Sequence, residues 1–271
     1  MVKSFLGKQQ NKNLFWYREL LEVLIRRNLK RRYRGSILGI YWSLLNPLAM
    51  TGLYAAIFGA TFAEYYDDSS LNYVLAVFTG LVVVNFFSAS TVMALTSVVE
   101  NGSMVNKIRL PLAIFPLAAI GANVFQLLLG AFPLLVIVTL VRTPYPINLI
   151  NTIALLLPTF ALIMVCVGVG LFMSGLYVFF RDLPYFYELL TFVLLMGSPI
   201  FYPAEIVPAA VRKFLILNPI LPIIESIRQI VLSSTMPDPV LIVHSLANGL
   251  VVVVVGALAF ANWRSQFMDL L

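Results

Sequence analysis

No Asp, Glu, Lys or Arg occurs in residues 35–63, 69–99, 110–141, 143–180 or 239–263, and these runs of 29, 31, 32, 38 and 25 residues consist mainly of Leu, Ile, Val, Phe and Ala. A helix needs about 20 apolar residues to cross a hydrocarbon core about 30 Å thick, so each run is long enough to span. The blocks are continuous rather than alternating, which argues against the strands of about 10 residues that build a transmembrane β-barrel. Helices pair their own backbone groups inside lipid. The expected fold class is therefore an all-α integral membrane protein. Composition agrees, with 61% hydrophobic and 11% charged residues against soluble averages of about 45–50% and about 25%.

Residues 185–204 add a shorter apolar and aromatic stretch interrupted only by Glu188. Counting it gives six transmembrane helices, at about 37–63, 71–97, 112–140, 148–179, 184–202 and 240–262, with both termini on one side. That side then holds fourteen lysines and arginines, and the other holds Arg142, Arg212, Lys213 and Arg228. The positive-inside rule makes the richer side cytoplasmic. The first 36 residues carry many charges and no early apolar run, so the first span is expected to act as an uncleaved signal.

Two segments differ from simple spans or loops. Residues 203–238 contain Pro203, Pro208, Pro219 and Pro222, with short helical patterns at 207–217 and 220–232. Each is too short to cross, and the prolines favour a break between them, so a re-entrant helical hairpin between spans 5 and 6 is expected. Non-helical backbone at membrane depth survives only where protein buries it or a wet cavity meets it. Within 1–36, the stretch 14–34 repeats Leu14, Tyr17, Leu21 and Leu24 at helical spacing, widened by Trp16, Leu20 and Ile25. Arg18, Glu19, Glu22, Arg26, Arg27 and Lys30 fill much of the remainder. This is the pattern of an amphipathic interfacial helix, serving as an anchor on membrane lipids, a docking surface, or both. The remainder, 37–271, forms a single transmembrane domain.

Chemistry is scarce. Cys166 lies inside an apolar run and reads as a small packed residue; His244, the only histidine, has no Cys or carboxylate cluster beside it and reads as structural. Among ionisable groups near the spans only Glu188 is a candidate, serving either at a helix end or interface or as a functional carboxylate. No catalytic site, metal site or G-x-x-x-x-G-K-[ST] phosphate loop is visible. Uphill movement of a substrate would therefore draw its energy from another chain. Aromatics are plentiful, with 20 Phe and 12 Tyr. Interfacial belts explain some of them, and those deeper in the spans are suited either to packing or to stacking on sugar rings. Gly52, Ala56 and Ala60, Ala118 and Ala122, and Gly170 and Ser174 follow small-residue spacings that permit close helix approach.

Several segments resemble the membrane subunit of ABC-2-type exporters, specifically the permeases that export O-antigen, capsule and teichoic acid. The first runs Arg32-Tyr33-Arg34-Gly35-Ser36-Ile37-Leu38-Gly39-Ile40-Tyr41-Trp42 and reaches Asn46-Pro47. The second is Asn106-Lys107-Ile108-Arg109-Leu110-Pro111-Leu112-Ala113-Ile114-Phe115-Pro116. Phe180-Arg181-Asp182, Ser198-Pro199-Ile200-Phe201-Tyr202-Pro203, Leu217-Asn218-Pro219 and Glu225-Ser226-Ile227-Arg228 follow in order. Leu110 and Leu112 depart from the family pattern, which favours an aromatic before Pro111 and a basic residue after it.

The resemblance implies a homodimer paired with two copies of a cytoplasmic ABC ATPase that binds the ATP and Mg, with no cofactor in this chain and no nucleic-acid partner. It implies export of a polymer carried on a polyprenyl diphosphate across the bacterial cytoplasmic membrane, by a transport subunit that is not itself an enzyme. ATPase coupling would fall to Arg18, Glu22, Arg26, Glu100, Asn106, Lys107 and Arg109. Arg31, Arg32 and Arg34 would attract the diphosphate. Tyr33, Tyr41, Trp42, Tyr54, Phe58, Tyr185, Phe192, Phe201 and Tyr202 would line the glycan conduit between the first and fifth spans. Pro203, Pro208, Asn218, Pro219, Glu225 and Arg228 would form the external gate. A permease for a small lipid or drug would share this fold and partner. A membrane enzyme acting on polyprenyl-linked sugars would need acids or a metal at a membrane edge. A passive scaffold or channel would need no ATPase.

Overall fold

The computed structural model describes residues 2–105, 110–215, 218–233 and 235–267. Its α-helices, in order, are α1 (Val2–Tyr33), α2 (Trp42–Phe62), α3 (Ser70–Glu100), α4 (Gly102–Val105), α5 (Ile114–Leu129), α6 (Ala131–Arg142), α7 (Ile147–Ala154), α8 (Leu156–Phe179), α9 (Leu183–Gly197), α10 (Ala209–Leu215), α11 (Leu221–Leu232) and α12 (Pro239–Trp263). No strand occurs among the described residues. Local chemistry sets several starts. Ser69 accepts a bond from the Asn72 amide ahead of α3, and Asp238 from that of Val240 ahead of α12, each satisfying an orphan donor of a first turn. Prolines open α9, α11 and α12 at Pro184, Pro222 and Pro239, where a missing N–H removes no helical bond.

Among the described residues, five helical stretches are long and apolar enough to cross a membrane: Gly39–Tyr65, Ser70–Glu100, Ile114–Arg142, Ile147–Phe179 and Pro239–Trp263. Their bounds fall within three residues of the spans expected from the uncharged runs. Two are broken within their length, at Gly130 between α5 and α6 and at Leu155 between α7 and α8. Gly130 leaves helical geometry at φ −96° and ψ −93°, and a Cβ there would stand 2.5 Å from the Ser43 hydroxyl oxygen. Helix α9 has 15 residues, about 22 Å at 1.5 Å per residue, and so falls short of the core alone. Its start packs beside Leu95 through Leu183 and Tyr187. Just beyond its end, the Phe201 carbonyl accepts a bond from the Tyr73 hydroxyl. Along α3, Tyr73 and Leu95 lie about 33 Å apart.

Helix α3 is the hub. In its apolar window 72% of residues are buried inside the protein, against 17% for the windows of α2 and α12. Tyr73, Val77, Val83 and Phe87 of α3 meet Leu162 and Val165 of α8 and Ile223 and Ile227 of α11. Gly80 permits the close approach of the crossing after α9, since a Cβ there would lie 2.9 Å from the Ile200 side chain. At one end of the bundle Val98, Val178, Phe260 and Phe267 form a cluster that includes Leu112, and α1 joins that same end through Glu100 and Asn101.

The most extensive pairing joins α8 to α12, and it depends on glycines absent from the expected small-residue spacings. A Cβ on Gly256 would fall on the Gly168 carbonyl oxygen, and one on Gly168 would fall on that of Val252. Of the spacings read in sequence, Ala118, Ala122, Gly170 and Ser174 are buried, whereas Gly52, Ala56 and Ala60 are exposed. Replacement Gly256→Leu should lower stability by about 1–3 kcal/mol or more, the range for overpacking, read as a lower melting temperature of the purified chain in detergent. Gly197→Ala, with no atom within 4 Å of the added Cβ, should leave it unchanged.

Candidate functional site

The basic end of α1 is fastened to the body by both packing and charge. Leu20, Leu21, Leu24 and Ile25 press on Ile114, Phe115 and Ala118 at the start of α5. On the neighbouring face Arg27 donates to Asn101 Oδ1 at 2.8 Å, and Arg31 to Glu100 Oε2 at 2.8 Å. Glu100 and Asn101 stand at the C-terminal end of α3, where the helix dipole adds to the attraction for cations. Burial, and next the charge of Arg31, hold Arg27 below its ordinary pKa, with Glu100 opposing them. These two contacts join residues 74 and 69 positions apart in the chain, and no local sequence pattern marks them.

Arg18, Glu22 and Arg26 remain exposed on the opposite side of α1, where Glu22 and Arg26 pair at 2.6 Å. Asn106, Lys107 and Arg109 lie outside the described residues. The three arginines expected to act together are separated. Arg31 and Arg34 border a broad depression of about 1350 Å³, shared with Arg26, Arg27 and Lys30 and floored by 37–41. Arg32 turns the other way and donates to Asn123 Oδ1 on α5 at 2.8 Å. Tyr33 borders this depression and also a second cavity, lined with Arg32 and Asn123, between the end of α1 and α2, α3 and α5.

The conduit aromatics also divide in two. Tyr54, Phe58 and Phe62 stack along α2 with centroid separations of 6.1 and 5.7 Å, and Phe201 stacks on Tyr54 at 3.8 Å. Phe62 continues to Tyr73 at 5.9 Å and Tyr73 to Tyr66 at 5.7 Å. The Tyr202 hydroxyl donates to the Gly197 carbonyl at 3.0 Å, closing the end of α9. Tyr41, Trp42, Tyr185 and Phe192 belong instead to open faces, with 64%, 55%, 79% and 58% of their surfaces exposed in one copy of the chain. Glu188 and His244 are exposed and Cys166 is buried.

The segment from Pro203 to α11 is held at several points. Asn218 donates to the Ser198 hydroxyl at 2.7 Å and accepts from the Ile220 amide at 3.1 Å. Asn248 of α12 donates to the Pro219 carbonyl at 3.0 Å. Arg228 reaches the carbonyls of Ala76 at 3.2 Å and Pro199 at 3.1 Å, so one guanidinium ties α11, α3 and the crossing after α9. Glu225 is exposed one turn earlier, Pro203 is buried and Pro208 is exposed. Two further polar contacts at this end were not read from the sequence: Arg142 donates to Asn72 at 2.6 Å, and Asn151 to the Thr235 carbonyl at 3.1 Å.

A helical membrane domain with a basic clamp at one end and a pinned short-helix segment at the other is the class these features define. Residues 19–232 match the family described as ABC-2 type transporter, and the chain belongs to that family. It is 27% identical over 259 residues to the O-antigen export system permease protein RfbA of Klebsiella pneumoniae, covering 96% of this chain and 97% of the relative. It is 25% identical over 263 residues to the protein of the same name from Myxococcus xanthus, covering 95% and 97%.

Tyr73→Phe should leave the Phe201 carbonyl without its hydroxyl partner and destabilise the chain by about 0.6 kcal/mol, the average measured for hydrogen bonds between spanning helices, and by no more than about 1.7 kcal/mol. A melting curve in detergent reads this. Tyr202→Phe, at a half-buried position, should shift the curve less.

Proposed function

We propose that this chain is the permease subunit of an ABC exporter that carries polysaccharide on a polyprenyl diphosphate across the bacterial cytoplasmic membrane. It works as a homodimer with two copies of a separate cytoplasmic ATPase, which binds the ATP and Mg. The observation that carries this reading is the end-to-end likeness to O-antigen export permeases, 97% of whose length is covered. Local likeness to a nucleotide-driven membrane domain would not extend through the outer segment and α12.

In this reading the chain crosses six times. The climb from Leu183 beside Leu95 to Phe201 beside Tyr73 supports α9 and the 198–203 extension as the fifth crossing. Both termini are then cytosolic, which agrees with α1 and Phe267 meeting the same end of α3. Helix α1 lies at the inner interface, where Arg18, Glu22 and Arg26 face the ATPase with the 100–110 segment, including Asn106, Lys107 and Arg109. Helices α10 and α11 re-enter the outer leaflet as the gate, with Pro203, Pro208, Asn218, Pro219, Glu225 and Arg228 at its joints. The exposed aromatics of α2 and α9 face the conduit between two copies. Tyr54, Phe58 and Tyr202 offer ring faces to sugars near its outer end, and buried Phe201 backs Tyr54 from the core. Arg31 and Arg34 attract the diphosphate to the inner mouth.

Closure of the ATPase moves α1, and α1 acts on α3 through Arg31–Glu100 and Arg27–Asn101. An exposed ion pair contributes only about 0.2–1 kcal/mol to stability, so Arg31→Glu should leave folding nearly unchanged while uncoupling hydrolysis from export. Surface polymer in cells should fall several-fold, and Glu100→Arg in the same chain should restore part of it. Equal export from wild type and Arg31→Glu would contradict this route. The broader reading is checked by purifying the chain from its native membrane, where an ABC ATPase should accompany it.

A further inference from the structure

Between the last turn of α1, the start of α2, the middle of α3 and the end of α5 lies a cavity of about 410 Å³. Its lining departs from the rest of the spans: Arg32, Asn46, Asn85, Asn123 and Gln126 converge there beside the indole of Trp42. Asn85 stands at the middle of α3, about 22 Å from either end at 1.5 Å per residue. The hollow thus runs from the basic end of the bundle towards its centre. Amides at such a depth find no partners in lipid tails, and polar groups inside spans mark functional places.

The hydrogen bonds divide these groups into supports and open positions. Asn123 accepts from Arg32 at 2.8 Å and donates to the Ala119 carbonyl at 3.0 Å, so it fixes the guanidinium against α5. Gln126 is 92% buried by residue surface, and its Oε1 has no hydrogen-bond partner. A buried amide oxygen left unpaired is destabilising, and a donor from a ligand or a water would relieve it. A guanidinium carries five N–H donors in a fork suited to phosphate. Trp42 borders the same cavity, and an indole carries an apolar ring face. An anionic oxygen, several hydroxyl donors and a ring with an apolar face occur together in one ligand class, a sugar attached to a phosphate or diphosphate. A glycerophospholipid offers the phosphate without the ring. The volume also lies within the roughly 300–1,000 Å³ of small-molecule sites.

We propose that this cavity is a carbohydrate subsite within each permease chain, taking the sugar joined directly to the carrier diphosphate. Arg32 holds a phosphate oxygen, Asn46, Asn85 and Gln126 meet the sugar hydroxyls, and Trp42 covers one ring face. The subsite rests on the polysaccharide-export reading above and adds to it a site of selection for the first sugar. Arg32 thereby differs from Arg31 and Arg34, which act on the carrier before it enters.

The test uses the full chain with its co-purified ATPase in nanodiscs of phosphatidylcholine. Calorimetry compares farnesyl diphosphate with farnesyl diphosphates bearing glucose, galactose or N-acetylglucosamine. At least one sugar-bearing probe should bind about tenfold more tightly than the bare diphosphate. Gln126→Leu and Asn85→Leu should each remove that preference, and Arg32→Met should weaken every probe. Melting temperatures of the variants show that the loss is local. Equal affinity for bare and sugar-bearing probes overturns the subsite, as does binding of none of them, or full competition by added phosphatidylglycerol. ATP-driven translocation by the same wild-type preparation, measured separately, tells failure of the subsite from failure of the export reading.

Discussion

Hydrocarbon supplies no hydrogen bonds, so each polar atom inside this bundle is satisfied by the protein or stands out as unpaired. Most buried hydroxyls are satisfied within their own helices. Thr79 donates to the Ala76 carbonyl, Thr91 to Phe87, Ser97 to Ala94, Thr139 to Leu135 and Thr159 to Leu155. Back-bonding of this kind lets serine and threonine sit in a span without a tertiary partner. Against that background, the amides and guanidinia whose bonds cross between elements stand apart: Arg32 to Asn123, Asn218 to Ser198, and Arg228 to Ala76 and Pro199. They mark the junctions at which elements meet, and the proposed mechanism acts at those junctions.

Helix α3 links the two ends. Its C-terminal end receives Arg27 and Arg31 from α1, and its N-terminal end receives Tyr73's partner Phe201 and Arg228 of α11. A helix buried along most of its length is a stiff element in a close-packed interior. In the proposed cycle, a displacement imposed on α1 by the ATPase reaches the gate as a shift of α3 relative to the 198–203 crossing. In the proposed homodimer, the thinly packed α2 and the exposed aromatics of α9 face the second copy.

The uncharged runs located five spans to within three residues, whereas the stack of Tyr54, Phe58 and Phe62, spaced i, i+4 along α2, is seen only in the structure. The shortness of α9 escaped hydropathy because the apolar run continues through Tyr202 while the helix stops at Gly197. Pro199 held that signal, since a proline biases the residue before it to extended geometry, and Ser198 adopts φ −77° and ψ 140°. The separation of Arg31 and Arg34 from Arg32 also follows from helix geometry. Successive helical residues are about 100° apart, so Arg31 and Arg32 cannot share a side, and Arg34 already lies in the turn beyond the end of α1. Contacts such as Gly168 with Gly256, Phe201 with Tyr54 and Arg27 with Asn101 join residues far apart in the chain. Helical periodicity fixes only which face a residue occupies, not which distant element covers that face.

The central claim is that this chain forms a passage with no power source of its own, driven by a nucleotide-hydrolysing partner. Its most direct test is translocation of a fluorescent lipid-linked glycan across the bilayer of vesicles holding the purified chain, with and without the ATPase. The account predicts translocation only when ATPase and hydrolysable ATP are both present, with loss on removal of either. Sustained translocation by the chain alone, at the rate seen with the complete complex, would contradict it.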